Sequence, residues 1–303
     1  MIAKRLRDAL EMKRIKTLSM LPLRAYSTFR VGGVAELGIF PESREQLMDA
    51  VRLLREERVT LLVIGNGSNI LFGDGLIEGA MVFTKGLQSL SVEDGTIFAD
   101  CGVSLAALAN AAAEVSLSGL EFAHGIPGTV GGAIFMNAGA YGGSISDVLT
   151  QSIALDIEAD ALRTIDTHEF DYRRSVYTKQ THWICLGGRF SLREGEQEAI
   201  RMRMRELAAL RKEKQPLEYP SAGSYFKRPD GYFAAKLIDE CGLKGYAVGG
   251  AAVSEKHAGF IINRGGATAR DILRLEEYIK EEVFRRFGVV LEREVRAILS
   301  PMD

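Results

Sequence analysis

Proline is scarce in this chain, with 7 residues among 303, so proline-rich or disordered linkers are not expected. No apolar run approaches the roughly 18 residues that a membrane-spanning helix needs, and no membrane partner is expected. The basic N-terminus, residues 1–16, carries charges throughout and lacks the apolar core of a secretory signal. Lysine and arginine (38) do not outnumber aspartate and glutamate (40), which argues against nucleic acid as a partner. Together these absences predict a cytoplasmic protein.

Cysteine is equally sparse. Cys101, Cys185 and Cys241 lie far apart in the sequence, and neither a CxxC pair nor a cluster of histidine and cysteine accompanies them. The pattern therefore excludes a disulfide framework and a zinc site. We expect buried free thiols and no bound metal.

The periodicity of apolar residues predicts an α+β fold. Helices are predicted at 43–58, 104–115, 194–213, 232–241 and 268–287, and strands or hairpins at 60–65, 80–84, 89–103, 151–166, 181–190, 248–254, 258–263 and 289–299. Helices and strands alternate irregularly and hairpins are frequent, which differs from a doubly wound parallel sheet. The last element alternates like a strand, with Leu291, Val295 and Leu299 on one face.

Glycine is abundant, with 32 residues, and it concentrates in two loops. The first loop, GNGSN at 65–69, directly follows an apolar strand. Its glycines can take positive φ angles, so that successive backbone N–H groups point into one concavity that suits phosphate oxygens. The spacing is neither the Rossmann fingerprint nor a Walker loop. A simple turn between two strands explains this segment about as well.

The second loop is GIPGTVGGAIFMNAGAYGG at 125–143. A backbone with so few side chains can lie against a flat ring or a pyrophosphate without clashes from Cβ atoms. The alternative is a glycine-rich loop that packs against its own core. Two such loops in one chain favour the binding of a large dinucleotide.

Seven segments, taken in order, resemble the UDP-N-acetylmuramate dehydrogenase family, also called UDP-N-acetylenolpyruvoylglucosamine reductase or MurB. The resemblance rests on TFRVGG (28–33), GNGSNIL (65–71), the loop at 125–143, DYRRS (171–175), PSAGSYFKRP (220–229), GLKGYAVGGAAVSEKHAGFIIN (242–263) and LEREVR (291–296). It implies non-covalent FAD in a fold of the vanillyl-alcohol-oxidase (PCMH) type. It also implies that NADPH reduces the flavin, and that the enolpyruvyl ether of UDP-N-acetylglucosamine then receives a hydride at C3 and a proton at C2.

The same resemblance implies a domain plan. An FAD-binding domain is expected at 20–193, with subdomains of about 20–85 and 86–193, and an α+β substrate-binding domain at 194–303. The last strand, 289–299, either stays with the substrate domain or returns to the flavin domain. The expected assembly is a monomer or a weak homodimer.

The resemblance assigns three catalytic residues, Arg173, Ser224 and Glu294. A guanidinium suits a planar carboxylate, and a cation there stabilises the charge that develops when hydride adds beside it. Ser224 is the implied proton donor, although a serine in such a loop more often caps a turn. Arg174 competes with Arg173, and the two point to opposite sides if 170–175 is extended. Glu292 competes with Glu294.

The remaining site residues also follow from the resemblance. Expected cofactor-binding residues are Arg30, Gly65, Asn66, Gly67, Ser68, Asn69, Gly125, Ile126, Pro127, Gly128, Thr129, Gly131, Gly132, Ala133, Asn137, Ala138 and Gly139. Expected substrate-binding residues are Lys214, Lys227, Arg228 and Lys244, because a diphosphate needs cations. His124 could suggest a covalent flavin link, but the resemblance favours non-covalent FAD and a packing role for this histidine.

The chain also departs from the family pattern. Ser27, Ser144 and Arg228 replace residues that are common there, and the segment 190–216 is too short for the tyrosine-bearing substrate loop of one branch. The chain therefore fits the shorter branch. The sequence leaves two other functions open: an FAD oxidase of the same fold acting on another small substrate, and a nucleotide-binding module without turnover. Both would lack the trio Arg173, Ser224 and Glu294.

Overall fold

Three of the described helices begin at a side chain that caps them. A computed structural model of the protein describes residue 2 and residues 4–300. At Ser43, Ser104 and Thr268 the hydroxyl accepts a hydrogen bond from the backbone N–H three residues later, which satisfies a donor that the helix itself leaves unpaired. The described residues form eight α-helices: α1 (Lys4–Met12), α2 (Arg44–Glu56), α3 (Leu105–Glu114), α4 (Val130–Met136), α5 (Val176–Lys179), α6 (Gln197–Lys214), α7 (Ala234–Glu240) and α8 (Ala269–Phe287).

The strands are short and mostly antiparallel. Within the same residues they are β1 (Lys16–Pro22), β2 (Val34–Phe40), β3 (Leu61–Ile64), β4 (Ile70–Phe72), β5 (Leu76–Phe83), β6 (Leu90–Glu93), β7 (Thr96–Asp100), β8 (Leu117–Ser118), β9 (Gly139–Ala140), β10 (Gly143–Ser144), β11 (Leu149–Asp156), β12 (Ala161–Ile165), β13 (Trp183–Ser191), β14 (Arg193–Glu194), β15 (Ala247–Val248), β16 (Ala251–Val253), β17 (Ile261–Asn263) and β18 (Arg296–Ile298). One four-stranded sheet has the order β1-β2-β5-β3. The predicted α+β class is confirmed. None of the helices in this part of the chain has the length and apolar character that crossing a bilayer requires.

The chain forms two compact units. The first comprises Leu37–Asn66, Gly79–Arg211 and the described residues before Met20. Its largest sheet is antiparallel, with the order β12-β11-β13-β7-β6. The predicted hairpin is present there: Glu93 pairs with Thr96, and Asp94 and Gly95 have φ angles of 42° and 74°, which a two-residue turn of this hand requires. Helices α3 and α4 pack on this sheet and close the apolar core.

The second unit comprises Met20–Glu36, Gly67–Glu78 and the described residues from Lys212 onward. It contains the three-stranded sheet β15-β16-β17 and the long helix α8, whose apolar face is buried at Ile272, Leu275, Ile279 and Val283. The predicted domain limits at 85/86 and 193/194 stay predictions.

The last predicted strand is mostly wrong. Only Arg296–Ile298 forms a strand, and it pairs in parallel with Ile70–Phe72. Earlier in the segment, Arg293 makes an isolated bridge to Phe226. Alternation of apolar and charged residues reports which face is buried, but backbone pairing depends on which partner strands are near.

The thiols agree in part with the prediction. Cys101 and Cys185 are free and buried, whereas Cys241 is only partly buried. Burial raises the pKa of Cys185 to about 12, and it also raises the pKa of Cys101. These two thiols are therefore protonated at neutral pH and unreactive.

Candidate functional site

The two glycine-rich loops meet in the first unit. Nδ2 of Asn66 donates a hydrogen bond of 2.6 Å to the carbonyl oxygen of Pro127. A Cβ atom at Gly65 would lie 2.4 Å from Oγ1 of Thr129, which is too close for any side chain. Glycine at 65 therefore lets the first loop lie directly on the second.

Polar atoms around the second loop lack partners. Oγ1 of Thr129 and Nδ1 of His124 are buried, and neither has a hydrogen-bond partner among the described residues. A buried polar group without a partner costs about 1–3 kcal/mol, so native sites of this kind are normally completed by a ligand or water. The bare backbone and the unsatisfied donors together fit a bound dinucleotide such as FAD.

Asn137 links the second loop to the segment that carries Arg173. It ends helix α4 in the left-handed conformation, with a φ angle of 43°. Its Nδ2 donates to the carbonyl oxygen of Asp171 at 3.2 Å, and its Oδ1 accepts from the backbone N–H of Ser146 at 3.0 Å. Both ends of this side-chain amide are thus used to hold the protein, and the predicted cofactor-binding residue has a structural function.

Arg173 lies in a tight turn. Asp171 and Arg174 exchange both backbone hydrogen bonds, at 3.2 and 3.1 Å, and Arg173 has a φ angle of 57°. The extended conformation considered for 170–175 is therefore wrong, and the two arginines do not alternate along a strand. Arg173 is partly buried and its guanidinium lies 4.9 Å from the ring centre of Tyr172, whereas Arg174 is exposed. This environment favours Arg173 for an ordered ligand contact.

A buried hydrogen-bond network supports the base of this turn. The hydroxyl of Ser152 lies 2.8 Å from Nε2 of His168 and 2.8 Å from the hydroxyl of Tyr177. The N–H of Val176 donates to the carbonyl oxygen of His168 at 2.6 Å. Burial lowers the pKa of His168 and raises that of Tyr177, so both groups are neutral at pH 7. His168 and Tyr177 flank the turn in sequence, so their common hydrogen-bond partner, Ser152, holds the two ends of the turn together.

In the second unit, Gly67 continues the first loop. Its φ angle is 63°, and a Cβ atom there would lie 2.1 Å from the carbonyl oxygen of Tyr26. Thr28 connects this loop to residues 220–229, the loop that carries Ser224 (the serine loop). Its N–H donates to the carbonyl oxygen of Gly67 at 3.3 Å, and its hydroxyl donates to the carbonyl oxygen of Ser221 at 2.7 Å. The neighbouring Arg30 is exposed. The segment TFR therefore positions two predicted site loops.

Ser224 and Glu294 are brought together by backbone pairing. The N–H of Glu294 donates to the carbonyl oxygen of Tyr225 at 2.9 Å. Nδ2 of Asn69 donates to the carbonyl oxygen of Glu294 at 3.3 Å, and the N–H of Arg296 donates back to Asn69 at 3.0 Å. Ser224 is exposed and Glu294 partly buried. Hydrogen bonds therefore join the loop at 67–69, the serine loop and residues 291–296, the segment that carries Glu294 (the glutamate segment), within this unit.

Sequence reasoning missed Glu276, the buried acid at the centre of this arrangement. Its carboxylate accepts from the hydroxyl of Tyr225 at 2.7 Å and from the guanidinium of Arg293 at 3.1 Å, and Lys280 pairs with it as well. Tyr225 and Arg293 adjoin Ser224 and Glu294 in sequence. Glu276 lies on the buried, apolar face of α8. A charged residue at a position where the helical periodicity predicts an apolar one is the signal in the sequence that could have identified it.

The competing acid and the predicted cations have protein partners of their own. Glu292 is exposed, and Nζ of Lys227 lies 3.0 Å from its carboxylate. Lys244 pairs with Asp239 at 2.7 Å, and the guanidinium of Arg228 lies 4.4 Å from the ring centre of Phe233. Such exposed pairs are weak, about 0–1 kcal/mol, so a diphosphate could displace them. Lys214, at the end of α6, is exposed.

Comparison with known proteins adds the family context. Residues 35–158 match the family described as an FAD binding domain, and residues 215–298 match the one described as the C-terminal domain of UDP-N-acetylenolpyruvoylglucosamine reductase. The FAD-binding match confirms the predicted cofactor class. The first match includes both glycine-rich loops, and the second includes Ser224 and Glu294.

Full-length relatives carry the same name. The UDP-N-acetylenolpyruvoylglucosamine reductase of Caldanaerobacter subterraneus subsp. tengcongensis is 46% identical over 279 residues, covering 91% of this chain and 92% of the relative. That of Clostridium novyi is 44% identical over 299 residues, or 98% and 96%. The crystal structure of the Thermus caldophilus enzyme (MurB) is 34% identical with a TM-score of 0.79, covering 94% of this chain and 98% of that one.

Proposed function

The chain belongs to the UDP-N-acetylenolpyruvoylglucosamine reductase family, and on this premise we propose that it reduces the enolpyruvyl ether of UDP-N-acetylglucosamine to UDP-N-acetylmuramate for peptidoglycan synthesis. FAD is its cofactor and NADPH its hydride donor. The observation that carries the proposal is the 46% identity to a curated reductase across 91% of the chain, which spans both the FAD-binding segment and the C-terminal domain.

The proposed chemistry divides between cofactor and protein. Bound FAD supplies the hydride that adds to C3 of the enolpyruvyl group. The protein must then stabilise negative charge that builds on the adjacent carboxylate, which is usually the largest catalytic contribution in a site without water. We assign this to the guanidinium of Arg173, because it can bind a carboxylate with two parallel hydrogen bonds. Its rigid turn, held by Asn137 and the Ser152 network, keeps the guanidinium from having to reorganise during the reaction.

The proton for C2 is assigned to the hydroxyl of Ser224. A serine hydroxyl is a weak acid, so it can donate only when it is held in position and the carbon is strongly basic. Backbone pairing between Tyr225 and Glu294 holds the serine loop beside the glutamate segment. We assign Glu294 the orientation of the substrate carboxylate or of the proton donor, and Lys214, Lys227, Arg228 and Lys244 the neutralisation of the diphosphate.

The oxidase and binding-module alternatives are not favoured by any observation on the site. Either would leave the paired Ser224 and Glu294 segments without a task. The proposal keeps two expectations from the sequence, a cytoplasmic location and a monomer or weak homodimer.

Anaerobic half-reactions test the proposal. NADPH should bleach the flavin absorbance, and the enolpyruvyl sugar nucleotide should restore it without oxygen. Ser224→Ala should keep the first step and slow the second by about 100-fold or more, the usual contribution of a positioned acid. Ser191→Ala, which changes another exposed serine, serves as the control. Restoration by oxygen alone would favour the oxidase, and equal slowing of both steps would remove Ser224 as proton donor.

A further inference from the structure

Arg211 stands near the end of helix α6, directly against the second glycine-rich loop. A Cβ atom at Gly125 would lie 3.1 Å from Cδ and 3.4 Å from Nη1 of this arginine. The side chain is partly buried. The absence of a side chain at 125 therefore leaves the guanidinium beside bare backbone, within the loop that fits a dinucleotide.

Among the residues that the structure describes, this guanidinium has no anionic partner. Positions three and four residues away on the helix are Leu207, Ala208, Lys214 and Gln215, so no carboxylate lies at the spacing of a helical ion pair. No described residue forms an ion pair or a hydrogen bond with it. Burial accordingly lowers the pKa of Arg211.

Two other arginines of α6 have carboxylate partners. Arg203 pairs with Glu206 at 3.1 Å, and Arg205 pairs with Glu198. Both are exposed. A cation that is partly withdrawn from water without a counter-ion destabilises the protein that carries it. Arg201 of the same helix is also partly buried and forms no ion pair with a described residue, so what distinguishes Arg211 is its contact with the second glycine-rich loop.

Two further polar atoms without partners lie at the start of the same loop or directly before it. Nδ1 of His124 and Oγ1 of Thr129 are buried and have no hydrogen-bond partner among the described residues. Gly125, which Arg211 contacts, adjoins the first and is four positions before the second. A cation and two polar groups that all lack partners therefore lie on or against residues 124–129, which is the setting that an anionic ligand with several acceptor atoms requires.

We propose that Arg211 is the counter-ion of an anionic group of the bound FAD, an assignment that rests on the FAD-dependent function proposed above. The dinucleotide offers two such groups. One is the pyrophosphate, which is anionic in both redox states. The other is the N1–C2 carbonyl edge of the flavin ring, which gains negative charge on reduction. A guanidinium can donate two parallel hydrogen bonds to either one.

The first test uses the protein freed of FAD. Arg211→Met keeps an unbranched apolar stem and removes the charge, and Arg205→Met makes the same change at an exposed, paired position of the same helix. Without FAD, thermal unfolding of Arg211→Met should occur at the same temperature as the wild type or a higher one, because an uncompensated charge has been removed. With saturating FAD, the gain in unfolding temperature should be smaller than in the wild type. A structural arginine would instead give a less stable protein in both conditions, and that result would overturn the proposal.

The second test measures FAD binding directly. The dissociation constant of FAD should rise at least about tenfold in Arg211→Met, since hydrogen bonds to charged groups contribute roughly 1.5–3 kcal/mol, and should stay unchanged in Arg205→Met. Arg211→Lys, which keeps the charge and is the safer variant for folding, should fall between them.

The redox state then separates the two anionic groups. Equal weakening of oxidised and reduced FAD, with matching weakening of ADP, identifies the pyrophosphate. Selective weakening of reduced FAD identifies the flavin edge, and a tenfold difference lowers the midpoint potential by about 30 mV. Unchanged dissociation constants and an unchanged potential in both Arg211 variants would overturn the proposal, whatever the outcome of the substrate half-reactions. Loss of substrate turnover with normal FAD binding would instead affect only the proposed reductase function.

Discussion

Removal of Glu276 should destabilise the second unit more than any neighbouring surface change. Its carboxylate accepts from the hydroxyl of Tyr225 and from the guanidinium of Arg293 and pairs with Lys280. Breaking a buried ion pair by removing one partner costs about 3–5 kcal/mol. The side chains of Arg293 and Lys280 are 30% and 38% exposed, so water compensates part of that loss. We therefore expect Glu276→Ala to lower the free energy of unfolding by about 3 kcal/mol.

Two variants make this measurement specific. Glu276→Gln keeps an oxygen that can accept from Tyr225 but removes the charge that Arg293 and Lys280 face, and should cost about half as much. Glu277→Ala alters the adjacent, exposed glutamate and should lie within about 0.5 kcal/mol of the wild type. Urea unfolding of the FAD-saturated protein, followed by circular dichroism, gives the three values.

The same variants should alter the second half-reaction. Tyr225 and Arg293 adjoin Ser224 and Glu294, so loss of their common anchor should slow flavin reoxidation by substrate while leaving reduction by NADPH close to normal. If Glu276→Ala is no less stable than Glu277→Ala, the buried carboxylate is not the anchor inferred from its contacts. If stability falls but both half-reactions keep their rates, the link from the anchor to the catalytic segments is wrong.

Three further predictions follow from single contacts. Gly67→Ala should lose FAD and stability, because a Cβ there would meet a backbone carbonyl oxygen at 2.1 Å. The control Gly95→Ala, at a positive φ but with nothing within 4 Å of the new Cβ, should lose only the roughly 1 kcal/mol of stability that a left-handed alanine costs. Equal effects of the two variants on FAD content would contradict this. Asp74 accepts from the first two backbone N–H groups of α8 at 2.8 and 3.0 Å, so Asp74→Ala should cost about 1 kcal/mol in urea unfolding, and no cost beyond that of the exposed control Glu78→Ala would count against the cap. Burial lowers the pKa of His168 from its ordinary 6.5, so the unfolded chain binds a proton more readily than the folded one. Stability should therefore fall as the pH drops below about 6.5. His168→Gln should reduce this decline, and an unchanged decline in that variant would refute the assignment.

Local patterns predicted much of the secondary structure and failed where distant segments meet. The capped start of α8 at Thr268 and the hairpin turn at Asp94-Gly95 are both present, because caps and tight turns depend on residues within four positions of each other. Within the described residues, the alternating segment 289–299 forms a strand only over Arg296–Ile298. These three residues pair with the backbone of Ile70–Phe72, whereas the rest of the segment has no partner strand there.

The candidate site divides in the same way. The sequence by itself determined that the chain carries two glycine-rich loops, and the order of its motifs assigned Arg173, Ser224 and Glu294 through a family resemblance. Only the tertiary structure joined Asn66 to Pro127, formed the turn that holds Arg173 and left the guanidinium of Arg211 without a counter-ion. The physical reason is that burial and hydrogen-bond partners are set by residues far away in the sequence, whereas a motif records only which chemical groups are present and how they are spaced.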